Sequence, residues 1–223
     1  MKVPLTFPSI DQEDISNVLK VLSSGQLVQG KYVQALEKTV AALVNVEHAV
    51  AVSSGTATLH LALLSLGIGQ GDEVVVPAFS FIATANVVEL VGARPVFVDI
   101  SPDSFNIDPD RIEAAVTPRT KAIMPVHEFG YPAEMDKIIE IANAHNLPVI
   151  EDAACALGSE WKGRKVGAWG TVGSFSLHPR KAVTSGEGGL LTTKNSKLAK
   201  FFRIMRNHGN DNTSGATDFV NAG

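Results

Sequence analysis

The sequence predicts an α/β fold, with a mostly parallel, mixed sheet sandwiched by helices. Three observations lead there. Short apolar runs, "DEVVVP", "RPVFVDI", "KAIMPVH" and "LPVIEDA", recur along the chain without the polar alternation of a half-wet strand, which is how strands covered on both faces read. Segments with apolar residues at helical spacing lie between them, so strand and helix alternate as in a layered α/β domain. Two further apolar runs, "VGSFSL" and "GGLLTTK", follow with no helix between them, which predicts an antiparallel portion.

Taken in order, residues 10–22 place Ile15, Val18, Leu19 and Leu22 at helical spacing, with Gly25 as punctuation. "KYVQALEKTVAALV" predicts a second helix with Val33, Leu36, Val40 and Leu43 on one face. "HAVAVSS" is a short buried strand. In "SGTATLHLALLSLG", Leu59, Ala62, Leu63 and Leu66 fall at i, i+3, i+4 and i+7, and Gly67 suits a helix stop. The helices "SFIATANVVELVG", "DPDRIEAAV" and "MDKIIEIANAHN" separate the four strands that follow.

The chain has 223 residues and a net charge of −4 from 19 basic and 23 acidic residues. That balance gives no footing for nucleic acid or an anionic membrane. No apolar run is long enough to span a bilayer. A lone cysteine leaves no internal disulfide, and the start "MKVPLTFPSI" lacks the apolar core of a secretion signal, so a cytoplasmic protein is expected. The six histidines and one cysteine show no close ligand spacing, so no metal is expected.

Ligands of open α/β sheets bind beyond the carboxyl ends of the strands. Those ends are residues 53–56, 77–81, 127, 152–155 and 176–181. "SSGT" stands between a strand and a helix, where amides at the helix N-terminus favour an anion; capping by Ser54 or Thr56 would account for it equally. "VIEDAAC" ends a buried strand with Glu151 and Asp152, a costly arrangement unless a cation, an arginine or a helix N-terminus faces it. Phe79 and Phe81 are aromatic platforms or plain core. Lys181 lies between two apolar strands. A phosphate cradle, a strand-end carboxylate and a strand-end lysine together match the needs of pyridoxal 5'-phosphate. The amine condenses with the aldehyde, and the acid keeps the pyridine nitrogen protonated.

Six stretches in order, "SGTATLHLAL", "GDEVVVPAFSFIATANVV", "VFVDI", "IEDAACALGS", "FSLHPRKAVTSGEGG" and "RNHG", resemble the DegT/DnrJ/StrS family of sugar aminotransferases. These have the fold-type I pyridoxal phosphate transferase fold, and the resemblance runs from about Pro4 to Gly209. It implies that Lys181 binds the cofactor aldehyde and is the catalytic base. It further implies that Asp152 pairs with the pyridinium nitrogen, that Ser176, Gly55 and Thr56 hold the phosphate, and that Phe81 stacks on the ring. Cys155 stands where many members carry a glutamine that contacts the ring hydroxyl. The retained lysine favours transamination over the family's dehydratase branch, in which histidine replaces it. The implied reaction moves an amino group from a glutamate-type donor to a nucleotide-linked keto sugar. A dehydratase or eliminase of the same fold and a non-catalytic regulatory homologue are the alternatives. The resemblance also implies a homodimer and a further C-terminal domain. On that expectation residues 1–209 form an N-terminal segment plus the cofactor-binding large domain, residues 210–223 begin the connection onward, and this segment alone lacks activity.

Overall fold

The computed structural model describes residues 7–211. The helices are α1 (Gln12–Ser24), α2 (Lys31–Val44), α3 (Gly55–Ser65), α4 (Ala83–Leu90), α5 (Pro109–Ala115), α6 (Met135–Ala144) and α7 (Ser196–Arg206). The strands are β1 (His48–Val52), β2 (Glu73–Pro77), β3 (Arg94–Val98), β4 (Thr120–Ile123), β5 (Ile150–Asp152), β6 (Glu160–Trp161), β7 (Arg164–Lys165), β8 (Val172–Ser176) and β9 (Gly189–Thr193).

The strand order is β1-β9-β8-β5 in one sheet and β3-β2-β4 in another. Parallel bridges Ile123–Val149 and Val126–Asp152 stitch β4 to the β5 segment. The two sheets thus continue into one another in the order β1-β9-β8-β5-β4-β2-β3. Within this order of described strands only β9 runs against its neighbours, in keeping with the antiparallel pair expected from "VGSFSL" and "GGLLTTK".

The apolar runs are buried on both faces. In β2, Val74 and Val76 join Leu63, Met124 and Phe202. Val75 joins Ile112, Ile123 and Ile138 on the other side. Successive side chains on a strand point to opposite faces, so a run of three valines feeds two cores at once. Around α2 and the β8–β9 end, Val40, Val44, Phe175 and Leu190 form a third cluster.

Several details differ from the sequence reading. Helix α7 was not expected; the Asn195 carboxamide caps it by accepting from the Lys197 and Leu198 amides, and Ala199 and Phe202 are buried under it. Its apolar stripe is interrupted by lysines and arginines, which masks the period. The hairpin β6–β7 is also new. On α2, Val40 and Val44 are buried while Leu43 is exposed, so the buried stripe is rotated from the one expected. That rotation buries Glu37, which accepts from the Ala51 amide at 2.9 Å and pairs with Arg206 of α7. Helix α1 forms where expected, with an Asp11–Asp14 capping box. None of its residues is buried, however, and Ile15, Val18, Leu19 and Leu22 face outward. Residues 212–223, most of the expected connection, lie outside the described residues.

Candidate active site

Five loops at the carboxyl ends of β1, β2, β4, β5 and β8 converge on one cavity of about 250 Å³. They converge because these strands all point the same way, leaving their exits on one edge of the sheet. The cavity brings together Lys181, Asp152, Cys155 and Phe81, and with them Gly55, Thr56 and Ser176. These are the seven residues singled out in the sequence.

At the β1 exit, Ser54 caps α3 by accepting from the Ala57 amide at 3.1 Å. Capping leaves room for an anion here, since the amides of Gly55 and Thr56 precede the first intrahelical bond, from Thr58 to the Ser54 carbonyl. Ser176 packs directly against this turn. A Cβ at Gly55 would lie 2.8 Å from the Ser176 Cβ, a separation that requires glycine.

The two adjacent carboxylates separate cleanly. Glu151 turns away from the cavity and is fully buried. It accepts from the amides of Gly167, Trp169 and Gly170 at 2.7–2.8 Å and meets His127 Nε2 at 3.2 Å. Glu151 therefore organises the 167–170 loop. Glu151→Ala would leave one buried and two half-buried amides without their acceptor, and a loss of about 3 kcal/mol is expected in urea unfolding; an unchanged midpoint would contradict this role.

Asp152 faces the cavity. It accepts from the Thr84 hydroxyl at 2.8 Å and from the Ala154 amide at 3.2 Å. Burial pushes its carboxyl upward from the ordinary value, against the pull of those two bonds and of the Lys181 charge. A cation brought into the cavity would restore the ionised form.

Lys181 sits on the loop between β8 and β9 and donates from Nζ to Cys155 Sγ at 3.0 Å. Phe81 lines the cavity and is largely exposed, whereas Phe79 packs with Phe105 and Phe129 at ring separations of 5.8–6.5 Å. The residues alone left both aromatics open, and the resemblance pointed to Phe81, the one that lines the cavity.

Three participants escaped the sequence reading. Thr84 and Ser80 form a short relay, Ser80 Oγ to Thr84 Oγ1 at 2.7 Å and on to Asp152. Glu128, next after His127 at the β4 exit, is 8% exposed and lines the cavity, and its Oε1 has no hydrogen-bond partner. The only sequence signal was an acidic residue at a strand end. Burial first, then the Asp152 charge, raises the Glu128 carboxyl from 4.5 to about 7; Ser80 and Lys181 pull the other way.

Between those two values folded Glu128 keeps a proton that the unfolded chain has lost, so stability falls as pH rises through that window. Glu128→Gln should flatten the slope, leaving the share that Asp152 contributes, and gain on the order of 2 kcal/mol at pH 8 relative to pH 4. Thermal melts across that range check it, and parallel curves for the two proteins would refute it.

The sequence profile of the DegT/DnrJ/EryC1/StrS aminotransferase family matches residues 8–222. The chain belongs to this family. A GDP-perosamine synthase of Caulobacter vibrioides is 44% identical over 211 residues, covering 94% of this chain and 57% of the relative. The structure of S. venezuelae DesV in complex with a ketimine intermediate superposes with a TM-score of 0.87 at 40% identity, over 94% of this chain and 55% of that one. A candidate sugar aminotransferase of Streptococcus pneumoniae, solved in its PLP form, gives 0.92 at 33% identity over 100% of this chain and 62% of that one. The chain therefore spans about 55–62% of the length of these family members. Their likeness places it in the fold of pyridoxal phosphate aminotransferases. Among the described residues no helix is long and apolar enough to cross a membrane.

Proposed function

We propose that this protein is a pyridoxal 5'-phosphate-dependent aminotransferase that passes an amino group from a glutamate-type donor to a nucleotide-linked keto sugar. The observation that carries this is the meeting of Lys181, Asp152 and the 54–56 turn with Ser176 in one cavity. The relatives' names, a GDP-perosamine synthase among them, support the substrate class.

The residues fit the cofactor. The glycine-only contact of residue 55 with Ser176 leaves backbone amides open to a phosphate. Asp152 is a buried carboxylate in need of a cation, and a pyridinium is one. When bound, the cofactor supplies an electron sink for charge at the substrate carbon. The chain's residues do the rest. Lys181 would hold the aldehyde carbon, and its amine, once free, would move the proton at the substrate carbon. Asp152 would be the ionised partner of the ring nitrogen, with Thr84 and the Ala154 amide fixing its orientation. Phe81 offers a face for the ring. Cys155 offers Lys181 a weak acceptor.

Residues 1–209 are proposed as the N-terminal segment and cofactor-binding large domain, in a cytoplasmic protein. The exposed trio Phe79, Phe105 and Phe129 supports a homodimer, which light scattering tests. The reaction is tested by incubating the enzyme with glutamate and a panel of nucleotide-linked keto sugars and identifying products by mass. An aminated sugar is expected; loss of water without gain of nitrogen would overturn the proposal.

A further inference from the structure

Glu128 lines the cavity, and the cofactor reading gives it no role. Its carboxylate is built in: 8% exposed, with Oε1 buried and without a partner among the described residues. A buried polar atom left unpaired is costly, so a residue that lines the cavity and carries such an atom points to a ligand that completes it. We propose that Glu128 is the positioning residue for the hydroxyl-bearing edge of the bound pyridoxal ring, where Cys155 offers only a weak partner.

The inference rests on the cofactor reading above, and the strand order then decides the edge. In pyridoxal phosphate, the ring nitrogen and the aldehyde-bearing carbon lie opposite each other. One edge between them carries the phosphate arm, and the other carries the methyl and hydroxyl groups. Asp152, the proposed partner of the nitrogen, ends β5. The proposed phosphate anchors come from the β1 and β8 exits, which lie on one side of β5 in the order β1-β9-β8-β5. Glu128 follows β4, which adjoins β5 on its other side through the Val126–Asp152 bridge. Glu128 therefore stands across Asp152 from the proposed phosphate anchors, on the side that the hydroxyl edge of the ring would take. It is also close enough to feel the charges of both Asp152 and Lys181, the two groups that would hold the ring's ends.

Its supports suit a positioning role. The Glu128 amide donates to Asn106 Oδ1 at 2.9 Å, and Asn106 is itself buried and donates to the Tyr131 carbonyl. Ser80 lies near enough to lower the Glu128 carboxyl and is hydrogen-bonded to Thr84, which donates to Asp152. Two hydroxyls thus stand between the two carboxyl groups. With a carboxyl poised near neutrality, Glu128 can donate to an ionised ring oxygen or accept from a protonated one.

The test uses the full chain and two probes, pyridoxal 5'-phosphate and its 3-deoxy analogue, which lacks the ring hydroxyl. Binding is read by absorbance titration, and borohydride trapping confirms attachment at Lys181. Wild type should prefer pyridoxal phosphate over the analogue by about 10-fold, the worth of one well-made hydrogen bond to a charged group. Glu128→Leu should lose that preference and leave binding of the analogue within about twofold of wild type, while Glu128→Gln should keep most of it because an amide can still donate. Equal affinity of wild type for the two probes would overturn the proposal without any variant. So would equal losses for both probes in Glu128→Leu, which would mark a structural role. Those outcomes leave the cofactor reading intact. Failure of wild type to attach either probe at Lys181 would overturn the cofactor reading and this proposal with it.

Discussion

Lys181→Ala is expected to abolish turnover, by about 10⁴-fold or more. The residue is asked for two functions at once, covalent attachment and proton transfer, and proton transfer alone is worth 10² to 10⁴. Its position supports both. The Nζ reaches into the cavity to Cys155 Sγ at 3.0 Å, and the loop that carries it starts at Ser176, itself packed against the 54–56 turn. The lysine and the proposed phosphate anchor are thus tied to one another by five residues of chain. Borohydride reduction of the wild type, followed by peptide mapping, should place the cofactor on the peptide containing Lys181, and the variant should carry none. Label on any other lysine would overturn the assignment, whatever the activity of the variant.

Asp152→Asn is expected to reduce kcat by about 10²-fold or more, in line with the loss of a preorganised charge from a buried site. Asparagine keeps the size and can still accept from Thr84, so the cavity should survive. What disappears is the negative charge that holds a proton on the ring nitrogen. Measured at matched cofactor content, the defect should lie in kcat more than in substrate KM. Activity near that of the wild type would show that Asp152 is not the ring's partner. Glu151 would not be the substitute, because its carboxylate is turned out of the cavity and occupied by three backbone amides.

Legibility in the sequence followed the range of the forces involved. The strands were plain because burial on both faces writes an unbroken apolar run, as in "EVVVP", where Val74 to Val76 are all fully buried. Helix α3 was plain because Leu59, Ala62 and Leu63 repeat at the helical period and Ser54 caps it. Helix α7 was hidden because burial of Ala199 and Phe202 is a matter of which neighbours arrive, and its lysines and arginines blur the period. The exposed stripe of α1 has the same lesson in reverse: helical spacing states that one face is apolar, not what covers it.

At the site, residue type and chain order singled out the lysine, the strand-end acids and the glycine turn as candidates, and the resemblance supplied their roles. Those are local statements, made by residues whose chemistry is uncommon at the ends of buried strands. The residues alone left open which of two adjacent carboxylates faces the cavity; the resemblance pointed to Asp152, and the tertiary structure turns that one inward. Side chains alternate across a strand, and nothing within "IEDAA" says which face meets the 167–170 loop that claims Glu151. Only the tertiary structure, likewise, brought Glu128, Ser80 and Thr84 to Asp152. They come from three segments separated by up to 72 positions, and a hydrogen bond acts over about 3 Å, so their relation exists only once the sheet has set its strand order.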